Sequence, residues 1–218
     1  MKKNVWIDPV INDELADIFT TYGKKTILYK SQEISTPFKR NSQFYYVESG
    51  LLAVTMSTGI FDGSIIIKLI PENRAYGFTD YCTAGLDRHY LIALRDSITY
   101  TIPYSVMNNL LKDKKIDERS FRRYAALCRQ TTANTLSAVI SMPRNNSSMK
   151  TYATTLINEF NHLKYKNHQT ALNMEDIERL ITKKGKSETT PYLNKLALYF
   201  FLKNEREYFI RLKDNIEH

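Results

Sequence analysis

Phe44-Tyr45-Tyr46-Val47-Glu48-Ser49-Gly50-Leu51-Leu52-Ala53-Val54 carries the clearest structural signal in the chain. Two runs rich in aromatic and branched residues flank a single glycine. Such residues suit a pleated, half-buried surface, and the glycine marks a turn between two strands. The same pattern extends outward to residues 26–29, 44–47, 51–56, 64–70, 90–94 and 97–102. Gly50, Thr58-Gly59, Asp62-Gly63, Pro71-Glu72-Asn73 and Arg95-Asp96 punctuate these runs. Short strands with turn residues between them predict an antiparallel sandwich or barrel, not a parallel sheet with crossover helices. A short helix over 12–22 precedes them, with Leu15, Ile18 and Phe19 on one face and Gly23 at its stop. Pro103 opens another over 104–112, where a missing N–H costs nothing.

Residues 117–142 contain neither glycine nor proline, and Pro143 ends the run. A helix of that length spans about 39 Å. Phe121, Ala125, Cys128, Thr132, Thr135, Val139 and Met142 step by alternating four and three, the spacing of a coiled-coil seam. Tyr124, Leu127 and Leu136 form a neighbouring strip. Two apolar strips on one long helix imply two partners. The expectation is that one strip covers the barrel and the seam pairs with a second copy of the chain. The plainer alternative is a helix packed entirely within its own chain.

The chain changes character along this helix. Six of the seven glycines precede Tyr90. Up to Leu111 there are 11 basic and 11 acidic residues; from Lys112 onward there are 20 basic and 12 acidic, so the whole net charge of +8 lies in the second half. A neutral, turn-rich front joined to a basic back points to a nucleic-acid-facing module. Residues 148–162 read as a helix, with Tyr152, Leu156, Ile157 and Phe160 on one face. Asn173 then caps a helix to about Thr182, Lys183-Lys184-Gly185-Lys186 turns the chain, and Ser187 caps a second helix with Leu193, Leu196 and Ala197 inward. Helix, glycine-containing turn, helix is the helix-turn-helix pattern. Runs at 199–202 and 208–212 around Asn204-Glu205-Arg206-Glu207 read as a two-stranded wing.

The residue inventory excludes much else. No apolar run approaches the roughly 20 residues of a membrane span, and no signal-peptide core follows Met1-Lys2-Lys3-Asn4. A cytoplasmic protein with no membrane partner is expected, its two cysteines, Cys82 and Cys128, reduced. Gly185-Lys186-Ser187 copies the end of a phosphate-binding loop, but Leu180 stands where that motif needs glycine. His89, His162 and His168 lack metal-ligand spacing with the cysteines. No nucleophile–base pair or paired-carboxylate motif stands out, so an enzyme is not expected, and neither a metal nor a cofactor is.

Taken in order, these elements resemble the catabolite-activator/fumarate-nitrate-regulator superfamily of bacterial transcription factors. Residues 44–54 are similar to the strand-glycine-strand core of the cyclic-nucleotide-binding fold, Tyr76-Gly77-Phe78 to the start of its phosphate cassette, and 90–103 to its closing strands. The resemblance implies an α+β chain in three parts. These are a β-roll (jelly-roll) sensor-like domain over 1–116, a dimerisation helix over 117–143 and a winged helix-turn-helix over 144–218. It implies double-stranded DNA, a second copy and RNA polymerase as partners.

In nucleotide-binding members a glutamate after the cassette glycine holds the ribose; Phe78 stands there instead. The family's Arg-Ser-Ala phosphate grip falls near Asp87-Arg88-His89-Tyr90, where only Arg88 is suitable. A regulator unresponsive to cyclic AMP is therefore expected, with Phe78, Cys82 and Arg88 marking any remaining ligand pocket. An iron–sulfur cluster needs four cysteines, and the chain has two. A haem or other small molecule in the barrel stays open on the sequence alone.

The DNA-contacting candidates are Lys183, Lys184, Lys186, Ser187, Glu188, Thr189, Thr190, Tyr192, Asn194, Lys195 and Lys203. Lysines contact phosphate, and Asn194, Lys195 and the threonines are the side chains suited to base edges. Pro191 and the absence of a recognition-helix arginine support an alternative, in which this surface binds a protein and not DNA.

Overall fold

A computed structural model describes residues 6–35, 41–58, 63–82, 89–140 and 146–162, together with Ile177. The elements run α1 (Asp13–Tyr22), β1 (Lys24–Leu28), β2 (Glu33–Ser35), β3 (Gln43–Ser49), β4 (Leu51–Thr58), β5 (Gly63–Pro71), β6 (Arg74–Tyr76), α2 (Phe78–Cys82), β7 (His89–Ala93), β8 (Ser97–Pro103), α3 (Tyr104–Lys112), α4 (Glu118–Ile140) and α5 (Asn146–His162). The strands form two four-stranded antiparallel sheets, ordered β1-β8-β3-β6 and β2-β7-β4-β5. This is the expected β-sandwich, and the chain is α+β. No described helix is long and apolar enough to cross a membrane.

Residues 44–54 form the joint between the sheets. β3 lies in one sheet and β4 in the other, and Gly50 between them has φ +98°. A Cβ at this position would sit 2.3 Å from Ser97 Oγ and 2.5 Å from the Asp96 carbonyl oxygen, so both torsion and space demand glycine. β3 is buried on both faces. Val47 joins the sandwich interior with Leu51, Leu52, Ala53, Val54, Ile67, Leu69 and Leu91. Phe44 and Tyr46, on the alternate positions, join a second core built with the helices.

That second core explains how the helices attach. Asn12 caps α1 by accepting from Leu15 N at 3.3 Å, and α1 presents Leu15, Ile18 and Phe19. α3 adds Met107 and Leu110, and α4 adds Phe121, Tyr124, Ala125 and Cys128. Asp117 caps α4 by accepting from Arg119 N at 3.2 Å and Ser120 N at 3.0 Å. Hydrogen bonding to the ionised form, first from the Ser120 side chain and then from the Ser120 and Arg119 amides, holds its carboxyl below the usual carboxylate range. Farther along, Leu136 of α4 and Ala153, Leu156 and Phe160 of α5 join the sandwich core, and the Arg95 guanidinium lies 5.6 Å from the Phe160 ring centroid.

A strap of chain before α1 lies along β5. Leu69 N donates to the Trp6 carbonyl at 2.8 Å, and Ile7 bridges Leu69 in parallel. Ile11 N donates to the Asn73 carbonyl at 3.0 Å, where Asn73 takes φ 58° in the β5–β6 turn. Asparagine tolerates this left-handed conformation better than most residues.

Candidate functional site

Two features occupy the zone between the roll and α4. One is a cluster of rings. Gly77, at φ +105°, turns the chain from β6 into α2, and Phe78 follows, 1% exposed. Its ring centroid lies 4.7 Å from Phe44, 4.8 Å from Tyr124, 5.1 Å from Phe121 and 6.4 Å from Phe19. Tyr81 and Tyr104 extend the cluster, each within 5.3 Å of Phe44. Phe78 thus fills the start of the cassette-like segment with packed hydrocarbon and presents no polar group there.

The other feature is charged and buried. Lys68 Nζ donates to Asp8 Oδ2 at 2.9 Å and lies 2.9 Å from Oδ1 as well. It also donates to Cys128 O of α4 at 3.2 Å and reaches Thr79 Oγ1 of α2 at 3.4 Å. Arg74 Nε donates to the Asp8 carbonyl at 2.7 Å and Nη1 to the Glu72 carbonyl at 2.9 Å. Burial pushes the Asp8 carboxyl above its ordinary range, while Lys68 and, more weakly, Arg74 pull it back. One turn earlier on α4, Tyr124 Oη accepts from Ala75 N at 3.1 Å and donates to the Pro9 carbonyl at 3.1 Å. Desolvation raises that phenol well above its usual pKa, so it stays a donor. The trace of this cluster in the sequence is a lone lysine within Ser64-Ile65-Ile66-Ile67-Lys68-Leu69-Ile70, and it is absent from the residues expected to carry function.

The expected pairing seam is turned inward. Phe121, Ala125, Cys128, Thr132 and Thr135 are all buried by their own chain. The reason is the size of the second core: the roll and strap need a complete helix face, and the seam residues supply it. Val139 falls in the last turn of α4, and Met142 lies outside the described residues. The outward strip is Arg123, Ala126, Leu127, Gln130, Ala133 and Asn134, which line a shallow groove. Leu127, from the neighbouring strip, is 41% exposed, whereas Tyr124 and Leu136 of that strip are buried. Cys82 ends α2; Arg88 lies outside the described residues, as does the whole DNA-contacting set from Lys183 to Lys203.

No family model and no curated protein matches the chain. Solved structures do. The c-di-GMP responsive global regulator CLP of Xanthomonas campestris is 10% identical over 88% of this chain and 92% of its own, with a TM-score of 0.57. FixK2 of Bradyrhizobium japonicum is 16% identical over 72% of this chain and 82% of its own, at a TM-score of 0.49. A CooA mutant of Carboxydothermus hydrogenoformans is 12% identical over 71% and 97%, at 0.46. The likeness to CLP is one of fold, and at that level this chain has a cyclic-nucleotide-binding-like β-sandwich.

Proposed function

We propose that the chain is a homodimeric DNA-binding transcription regulator whose roll does not answer to cyclic AMP. One observation carries this reading: the likeness in fold, at a TM-score of 0.57, to a global regulator linked to gene expression. The charge distribution supports it, since the net +8 is confined to the half from Lys112 onward. Phosphate neutralisation by lysines supplies affinity, and side chains at groove edges supply specificity. Lys183, Lys184, Lys186 and Lys203 are suited to the first role, Asn194 and Lys195 to the second. Ser187, Glu188, Thr189, Thr190 and Tyr192 complete the DNA-facing segment.

Replacing Lys183, Lys184 and Lys186 together by alanine is expected to weaken DNA binding for all sequences alike. The slope of log affinity against log salt should flatten by about 0.9 for each phosphate no longer neutralised. Titration of a labelled duplex at several salt concentrations reads both effects. An unmodified protein with no salt-dependent DNA affinity overturns the proposal. If it instead retains a protein after nuclease treatment, the protein-binding alternative takes its place.

The second copy belongs on the outward strip of α4, because the seam face is occupied by its own roll. Glutamate at both Ala126 and Leu127 should raise the dimer dissociation constant at least about tenfold, or ~1.4 kcal/mol. Sedimentation velocity over a concentration series measures it, and an unchanged constant rules this face out as the dimer interface. Insensitivity to cyclic AMP rests on Phe78: the family's ribose-holding carboxylate is replaced by a ring packed against α1, β3 and α4.

A further inference from the structure

The Asp8–Lys68 cluster joins parts of the chain that have no covalent reason to stay together. Its members come from the strap (Asp8), from β5 (Lys68), from α2 (Thr79) and from α4 (the Cys128 carbonyl). Lys68 and Asp8 are 3% and 2% exposed, so bulk solvent reaches neither charge. The Cys128 carbonyl accepts both from Lys68 Nζ and, at 3.0 Å, from Thr132 Oγ1, so a single backbone oxygen of α4 takes the ammonium and a hydroxyl. Tyr124, four residues earlier on the same face, ties the same strap to the same helix through Pro9.

We propose that the strap and the buried Asp8–Lys68 pair form an internal latch that fixes α4 against the roll, in place of a bound effector. A buried ion pair does one thing badly and another well. As a source of stability it is poor, because desolvation offsets most of the attraction and packed apolar residues of similar volume often do as well or better. As a constraint on position it is strong. An ammonium can be buried only if oxygens surround it, and here the oxygens come from three separate elements. If α4 or the strap shifts by more than a hydrogen-bond length, Lys68 or Asp8 loses a partner inside a low-dielectric interior. The junction is therefore all-or-none: strap seated, pair formed and α4 held, or all three released together.

A ligand would hold the helix by the same logic, lying between roll and helix and touching both. Here that zone is occupied by groups of the chain itself, the ring cluster around Phe78 and the ion pair beside it. A signal that moves α4 must then unseat the strap and need not fill a cavity. This inference concerns the coupling of roll to helix and holds whether or not the chain binds DNA.

The test is hydrogen exchange on the full chain carrying Asp8→Asn with Lys68→Met, which removes both charges and keeps the volume. Amides of the strap and of α4 around Thr132 should exchange at least about tenfold faster, while those of β3 and β4 stay within about twofold. The melting temperature should stay within a few degrees of the parent, since a charge-free pair of similar size need not destabilise the fold. Unchanged exchange in α4 overturns the latch. So does a uniform rise across roll and helix, which would make the pair an ordinary stabilising interaction. Should the double variant fail to fold, Asp8→Asn alone keeps an acceptor for Lys68 and the shape of the site. It must still show faster exchange in the strap and α4 than in β3 and β4, and its failure to do so also overturns the proposal.

Discussion

Alanine at Phe78 should lower the stability of the chain by about 3–5 kcal/mol, the range for removing a fully buried aromatic ring. The loss has two parts. One is transfer of the ring's apolar area back to water, and the other is the void left among Phe19, Phe44, Phe121 and Tyr124. The void cannot collapse readily, because its walls belong to α1, β3 and α4 and each wall is pinned by other neighbours. Urea unfolding of parent and variant gives the difference directly. An apolar cavity of this kind stays dry and takes small apolar guests, so the variant's melting temperature, unlike the parent's, should rise in benzene. A loss below about 1 kcal/mol would mean that the ring cluster is loosely packed, and the case for a filled cassette would fall with it.

Methionine at Lys68 alone should cost as much, about 3–5 kcal/mol, for an electrostatic reason. The substitution strands the Asp8 carboxylate, 2% exposed, without its ammonium. Arg74 remains nearby but weakly coupled. In the parent, Lys68 restrains the rise that burial imposes on Asp8; in the variant nothing comparable does, so the folded-state pKa climbs further above the unfolded value near 3.9. A carboxyl with a raised folded-state pKa binds its proton more tightly when folded. Its stabilising contribution is present below the unfolded pKa and is lost as pH rises through the folded one. The deficit of the variant should therefore be small near pH 4 and grow toward neutrality. Urea unfolding at pH 4.5 and 7.5 tests the sign. A deficit independent of pH would mean that lost packing, not the stranded charge, is responsible.

The sandwich is legible in the sequence because its turns are written in residues with few alternatives. Gly50, Asn73 and Arg95-Asp96 sit at reversals, and the strands between them alternate or run apolar as burial requires. β2 and β6 leave no such trace, since three residues are too few to show a period. β6 also carries Arg74, a buried arginine whose charge is met by two backbone carbonyls that no local pattern announces. α2 escapes notice for the same reason of length.

The long helix is legible as a helix, expected over 117–142 and observed over Glu118–Ile140. Its partner is not. A heptad seam states only that a face must be covered, and the strap and roll cover it as well as a second subunit could. The Lys68–Asp8 pair spans 60 residues of sequence. No local pattern encodes it, and an isolated lysine in a strand looks the same whether it faces solvent or a buried carboxylate.

The strap also carries the only tryptophan in the chain, Trp6, 2% exposed against β5. Indole emission shifts to longer wavelength when water reaches the ring, and a chain with one indole gives a signal with one source. Intrinsic fluorescence thus reports the seating of the strap, and circular dichroism reports the sheets and helices. If the strap leaves before the sandwich melts, the two transitions will separate on heating. The molecule carries its own optical gauge for the element that joins its two halves.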